Sequence, residues 1–206
     1  DCVAAMRAQV RIPVTVKCRI GVDDQEAALA LFGFVDAVSR AGCDIFAVHA
    51  RKAWLKGLSP KENREVPPLR YTDVYRLKQD RPDLTIEING GIKTVDEIVG
   101  HWQHTDGVMI GREAYHNPYL LVQAQTLWGV TELPSRADIL EAYMPFVEKE
   151  LARGVPLNQI TRHILGLFLG VPGGRRFRQV LSTRAHLPGA GLEVLRDAFA
   201  QTELLI

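Results

Sequence analysis

The sequence predicts an α/β fold over residues 1–130, followed by a small all-helical domain over 131–206. Three observations carry this. Short β-branched runs alternate with amphipathic helical patterns as far as Gly111. Each run closes on glycine or a polar side chain. Beyond Gly129 only helical periodicity remains.

Taken in order, "CVAAMRAQV" reads as the tail of a helix. "IPVTVKCRI" (12–20) is β-branched and bounded by Pro13 and Gly21, which makes it a strand. "DDQEAALALFGFVDAVSRAG" is an amphipathic helix with an acidic start, stopped at Gly42. A strand at 44–50, a basic loop over 51–70 and a helix near 71–80 follow. A strand at 84–89, a helix at 94–103 and a strand at 106–111 complete the alternation. This spacing of strands and helices means βαβ units and a parallel sheet. The segment "VTELPSR" reads as a linker. Helical patterns then run over 136–152, 157–169, 174–185 and 190–202, separated by prolines or glycines. The chain opens without methionine and already in a helical pattern, so it reads as a fragment lacking its N-terminal part.

Side-chain parity divides each strand into two faces. Val14, Val16, Cys18 and Ile20 oppose Thr15, Lys17 and Arg19; Phe46 and Val48 oppose Ala47 and His49. Ile86 and Ile88 oppose Glu87 and Asn89, while Val108 and Ile110 oppose Gly107, Met109 and Gly111. One face of each strand suits covering helices. The other turns polar or bare at its C-terminal end, the edge at which parallel α/β folds place their sites. Each group also has a plain structural reading. Lys17 could reach to solvent, and His49 could be a satisfied core histidine. Asn89-Gly90-Gly91 could be only a turn, and Gly111-Arg112 only a tight connection. The four endings together favour a site.

The two glycine endings suggest a phosphate. In (β/α)8 barrels the loops after the last two strands bind one through backbone amides, and glycine permits close approach. Arg112 would add a charge-assisted partner. The four strands then read as the fifth to eighth of a (β/α)8 TIM barrel, its C-terminal half. A complete four-stranded open sheet is the competing reading; it would expose long apolar edges.

Composition excludes some classes. Of 206 residues, 47% are apolar and 24% charged, an ordinary globular balance. With a net charge of +1, nucleic-acid affinity must come from local clusters. Cys2, Cys18 and Cys43 form no CxxC, which argues against disulfides and zinc and suits a cytoplasmic location. No apolar run approaches membrane-spanning length. His101, His104 and His116 read as surface or capping residues, not ligands.

"PVTVKCRIGVDD", "VHARKAWLKGLSPKENREVPPLRY", "INGGI" and "DGVMIGREAYHNPYL" closely resemble the FMN-dependent tRNA-dihydrouridine synthases. "ARKAWLKGLSPKENRE" and "LGLFLGVPGGRRFRQVLS" are similar to their A subgroup, and the resemblance covers essentially the whole chain. It implies an N-terminal flavin barrel and a C-terminal helical domain. It also implies reduction of uridine to dihydrouridine at positions 20 and 20a of the tRNA D-loop, with NADPH reducing the FMN. Lys17 would stabilise negative charge on the reduced flavin ring, and His49 would hydrogen-bond the flavin or its ribityl–phosphate region. Asn89, Gly90 and Gly91 would hold ribityl and phosphate, and Gly111 with Arg112 would close on the phosphate. The family's proton donor is a cysteine in an Asn-x-Gly-Cys-Pro loop. No such motif occurs here, and none of the three cysteines matches it. No catalytic residue is therefore assigned, and the fragment alone is expected to be inactive and unable to retain FMN.

Substrate binding has its own signature. Residues 151–192 contain six arginines and no carboxylate, and Arg175 and Arg178 share a helix face. Arg51, Lys52, Lys56, Lys61 and Arg64 stand against one acid in "HARKAWLKGLSPKENR", with Trp54 as a stacking surface. Such acid-free basic stretches suit a phosphate backbone; the plain reading is a solvated face. The resemblance points to Asn63, Arg64, Arg175 and Arg178 for tRNA. It is read with tRNA as partner, without DNA, membrane or metal, and as a monomer. The alternatives are a phosphate-binding barrel enzyme acting on a small metabolite and a non-catalytic RNA-binding module.

Overall fold

The structure, a computed structural model, describes residues 1–203. It divides into two compact units, Asp1–Gly111 and Arg112–Ile206. The first contains α1 (Cys2–Gln9), β1 (Thr15–Arg19), α2 (Ala27–Arg40), β2 (Ile45–His49), α3 (Tyr71–Asp80), β3 (Thr85–Asn89), α4 (Val95–Trp102) and β4 (Gly107–Met109). The four strands form one parallel sheet in the order β1-β2-β3-β4. Sequential parallel order with a helix in each crossover is the arrangement of an arc of a (β/α)8 barrel.

Burial follows the expected parity. Phe46, Val48, Ile86 and Ile88 are fully buried, and the helices contribute Leu31, Val35, Val74, Leu77 and Ile98 to the same core. That apolar layer aligns the strands and so fixes where their C-terminal ends lie.

The helix after β1 begins later than its acidic run suggests. Asp23 and Asp24 precede it, and α2 starts at Ala27. Glu26 is the N-cap, its carboxylate accepting from the amides of Ala28 at 3.2 Å and Leu29 at 2.7 Å. Asp23 has φ +45° and accepts from the Leu55 amide at 2.8 Å, so it builds a loop. At α4, Thr94 and Glu97 close a reciprocal capping box.

The second unit contains α5 (Arg112–His116), α6 (Tyr119–Gln123), a 3-10 segment at Ala124–Trp128, α7 (Arg136–Ala152), α8 (Leu157–Thr161), α9 (Gly174–Arg184) and α10 (Leu192–Glu203). Leu140, Val147, Leu157, Phe177, Leu181 and Leu195 form its core. The helices over 112–128 are absent from the sequence reading, which places the change of character at 130/131; the compact units divide at Gly111/Arg112.

The single helix expected at 157–169 ends at Thr161, and turns continue to Gly170. Two features mark the change. The amides of Ile164, Leu167 and Leu169 each bond three residues back, a tighter winding than the α-helix. At Gly166 the backbone presses on α5: a Cβ there would lie 1.9 Å from the His116 carbonyl oxygen.

Candidate functional site

Strand register assembles the polar face in two rows. Lys17, Ala47, Glu87 and Gly107 align across the sheet, and Arg19, His49, Asn89 and Met109 align one step further toward the C-terminal ends. Lys17 Nζ donates to Asn89 Oδ1 at 3.0 Å, and Asn89 Nδ2 donates to the Met109 carbonyl at 2.7 Å. The relay fixes the Asn89 amide with its oxygen toward the ammonium. Lys17 still reaches solvent, yet the sheet around it removes enough water to lower its pKa below the ordinary lysine value. The Cys18 thiol opposes that shift and Arg19 adds to it. The face therefore presents a fixed cation beside the ends of β3 and β4.

Gly90 and Gly91 follow β3 with φ +125° and +74°, conformations L side chains rarely adopt. Their neighbours are also close. A Cβ on Gly90 would meet His49 Cδ2 at 2.8 Å, and one on Gly91 would meet Leu69 Cδ1 at 2.7 Å. The turn is held from outside by Tyr71, whose hydroxyl donates to the Gly90 carbonyl at 2.7 Å. Tyr71 in turn packs edge-on against the His101 ring at 4.3 Å. His101 is not a surface residue: it is 8% exposed, and its Nδ1 bonds the Tyr75 hydroxyl at 2.6 Å. Sequence reasoning missed it because its partners lie on α3, a separate element.

Gly111 is different. A Cβ at Gly111 would find only Asn89 Nδ2, at 4.0 Å. Packing within the first unit does not demand glycine there, whereas at Gly90 and Gly91 it does. Arg112 is the first residue of α5 and belongs to the second unit.

The loop after β2 is built by cations, Arg51 and Lys52 of its own and Arg19 from β1. Arg19 donates to the carbonyls of Lys52 at 2.7 Å and Asn63 at 2.9 Å. Arg51, buried, donates to the carbonyls of Glu65 at 2.9 Å and Pro67, and Lys52 to those of Asp23 at 3.2 Å and Gln25. Asn63 pairs with the Trp54 backbone in both directions: its Oδ1 accepts from the Trp54 amide at 2.9 Å, and its Nδ2 donates to the Trp54 carbonyl. Arg51 and Lys52, counted as part of a basic surface, thus have loop-building roles. A cleft of about 320 Å³ results, lined by Arg19, Trp54, Leu55, Leu58, Asn63 and Arg64 among others. The sequence puts Arg19 on the polar face of β1 without indicating a role for it. Its signal in the sequence was its position as the last polar side chain of β1, in register with His49.

Within the second unit, Arg175 and Arg178 lie exposed on α9. Two of the six arginines are partly neutralised: Arg153 pairs with Glu150 at 2.9 Å and Arg184 with Asp197 at 2.8 Å. Among the described residues, Arg175, Arg176 and Arg178 pair with no carboxylate. Of the cysteines, Cys2 is exposed and Cys43 buried, and burial pushes the Cys18 thiol up to about 11. No helix of the described residues is long and apolar enough to cross a membrane.

Residues 1–203 match the family model described as dihydrouridine synthase (Dus). The chain belongs to the dihydrouridine synthase family. Similar members include a tRNA-dihydrouridine(20/20a) synthase of Xanthomonas campestris, 57% identical over 203 residues, covering 98% of this chain and 61% of the relative. The protein of the same name from Vibrio cholerae is 54% identical, covering 98% of this chain and 62% of its own. That of Salmonella typhimurium is 53% identical, with 96% and 60% covered. The chain thus spans about three fifths of the length of these relatives. Among solved structures, an RcsB response regulator of Salmonella typhimurium overlaps at a TM-score of 0.28 and 11% identity over 92% of both chains, too little to indicate a shared fold.

Proposed function

We propose that the protein carrying this chain reduces uridine to 5,6-dihydrouridine in the D-loop of tRNA, at positions 20 and 20a, using bound FMN and NADPH. The observation that carries the reading is the relay from Lys17, on the polar face of β1, through Asn89 to Met109 at the C-terminal ends of β3 and β4. It sets a fixed, partly desolvated cation beside glycine backbone, the pairing an anionic, partly planar cofactor requires.

The residues present fit FMN on a structural ground. The space over Gly111 next to Asn89 is open, and no contact within the first unit explains its lack of a side chain. Lys17 would face the edge of the flavin ring that gains negative charge on reduction. His49 would bond the flavin or its ribityl–phosphate region. Asn89, Gly90 and Gly91 would bind ribityl and phosphate, and Gly111 with Arg112 the phosphate. When bound, FMN supplies the hydride for one carbon of the uracil 5,6 double bond. This chain's part is to orient the ring and stabilise charge; none of its cysteines is assigned the proton donor's role. Arg64, Arg175 and Arg178 would bind tRNA phosphates. Asn63, whose amide is engaged by Trp54, would act by holding the loop that presents Arg64 and Trp54. A target base must leave its stack to reach a flavin, so firm backbone contacts are part of the requirement.

The test is to incubate the purified protein with NADPH and tRNA lacking dihydrouridine, then measure the modified base by mass spectrometry. Dihydrouridine at positions 20 and 20a, with NADPH consumed, is the expected result. A flavin-loaded protein that consumes NADPH and leaves every uridine intact would refute the reading.

A further inference from the structure

A second polar cluster lies wholly within the helical unit, away from Arg175 and Arg178 in sequence. Tyr115 on α5 is 53% exposed, and Arg162 and His163, at the end of α8, are exposed beside it. Arg162 Nε donates to His163 Nε2 at 3.1 Å, which leaves the imidazole proton on Nδ1. His163 Nδ1 then donates to the Tyr115 hydroxyl oxygen at 3.2 Å, and the hydroxyl donates to the Arg162 carbonyl at 3.4 Å. Each donor within the ring has its acceptor, and the ring of bonds closes in one direction only. The cluster is therefore set in position before any ligand arrives.

About half of Tyr115 remains open to solvent. The His163 and His116 rings stand at 82° and 81° to Tyr115, so neither lies flat on the tyrosine. Arg162 uses Nε for His163, and among the described residues it pairs with no carboxylate. No acid occurs anywhere in residues 151–192. The junction is also closely packed: Gly166 lies against the His116 carbonyl so tightly that a Cβ would be 1.9 Å from the oxygen.

We propose that Tyr115, His163 and Arg162 form a nucleotide platform for RNA, on which an unstacked base rests against Tyr115 while Arg162 meets its phosphate. The chemistry is that of single-stranded nucleic-acid recognition, a flat ring for the base and a guanidinium for the backbone. The stretch that supplies Arg162 and His163 is free of acids, and Glu113 is the one carboxylate on α5, a balance of charge that favours a polyanion. The inference rests on the reading of tRNA as substrate and adds a contact outside Asn63, Arg64, Arg175 and Arg178.

The experiment uses the flavin-loaded protein that carries this chain and an unmodified tRNA, with the dissociation constant measured across a series of salt concentrations. Tyr115→Ala should weaken binding about 5- to 100-fold, the range for losing one stacked base, with flavin content unchanged. Tyr115→Phe, which keeps the ring and loses the hydroxyl, should bind within about twofold of the parent. Arg162→Ala should reduce the slope of log affinity against log salt by about 0.7, one single-stranded phosphate contact. Binding by Tyr115→Ala equal to the parent's would overturn the proposal while leaving the enzyme reading intact. A Tyr115→Phe defect as large as that of Tyr115→Ala would show that the ring of hydrogen bonds, not stacking, matters, and would also overturn it. If Tyr115→Ala does not fold, Tyr115→Phe and the Arg162→Ala slope decide. A parent that binds no tRNA would remove the enzyme reading and this inference together.

Discussion

Asn89 engages both ends of its amide, accepting from Lys17 and donating to Met109, so one residue ties β1 to the end of β4. Parity in the sequence placed both Lys17 and Asn89 on the polar face. It could not show that they bond, because they lie 72 residues apart. His101 is the opposite case: a lone histidine on a helix gives no sign of the tyrosines around it. Burial lowers its pKa below the ordinary histidine value; Glu97 opposes the shift and His104 adds to it. The sign of the pH effect follows. Above the ordinary histidine pKa both folded and unfolded forms are neutral, and stability is fully present. As pH falls below that value the unfolded chain takes the proton first, and stability is lost until the pH has passed the folded value. Chemical denaturation of the parent should show this loss, and His101→Gln should show a flatter profile over the same range. Identical pH slopes for the two proteins would refute the assignment.

At the scale of elements, the alternation of strands and helices was legible because β-branched runs and amphipathic patterns differ in period. The loop over 51–70 was not. Its composition suggested a basic surface, but Arg19, Arg51 and Lys52 direct their charge to backbone carbonyls, and those partners have no sequence signature. The break after Thr161 was equally hidden, since the turns that follow it pack Gly166 against His116, a contact between residues distant in sequence. Asn63 is the staple of the loop. Asn63→Ala should remove both bonds to the Trp54 backbone and destabilise the loop by about 1–3 kcal/mol. Hydrogen exchange should then be faster at the Trp54 amide, with the amides of β3 unchanged. Unchanged protection at Trp54 would mean that the loop is held by other contacts.

For the whole molecule, the first unit supplies polar and glycine strand ends, and the second supplies Arg175, Arg176 and Arg178, exposed and, among the described residues, without carboxylate partners. The family is legible in long motifs such as "KAWLKGLSPKENRE", and the comparisons agree over residues 1–203. The account depends most on the claim that the polar C-terminal edge of the sheet holds FMN through Lys17. Titrating FMN into the flavin-free form of the protein that carries this chain, by calorimetry, with the unsubstituted parent and Lys17→Met, tests this directly. Methionine keeps much of the stem's bulk and removes the ammonium with its bond to Asn89. The account expects stoichiometric binding by the parent and affinity lower by about 10- to 100-fold in the variant, the loss of one charged hydrogen bond. Equal affinity in the two proteins would contradict it.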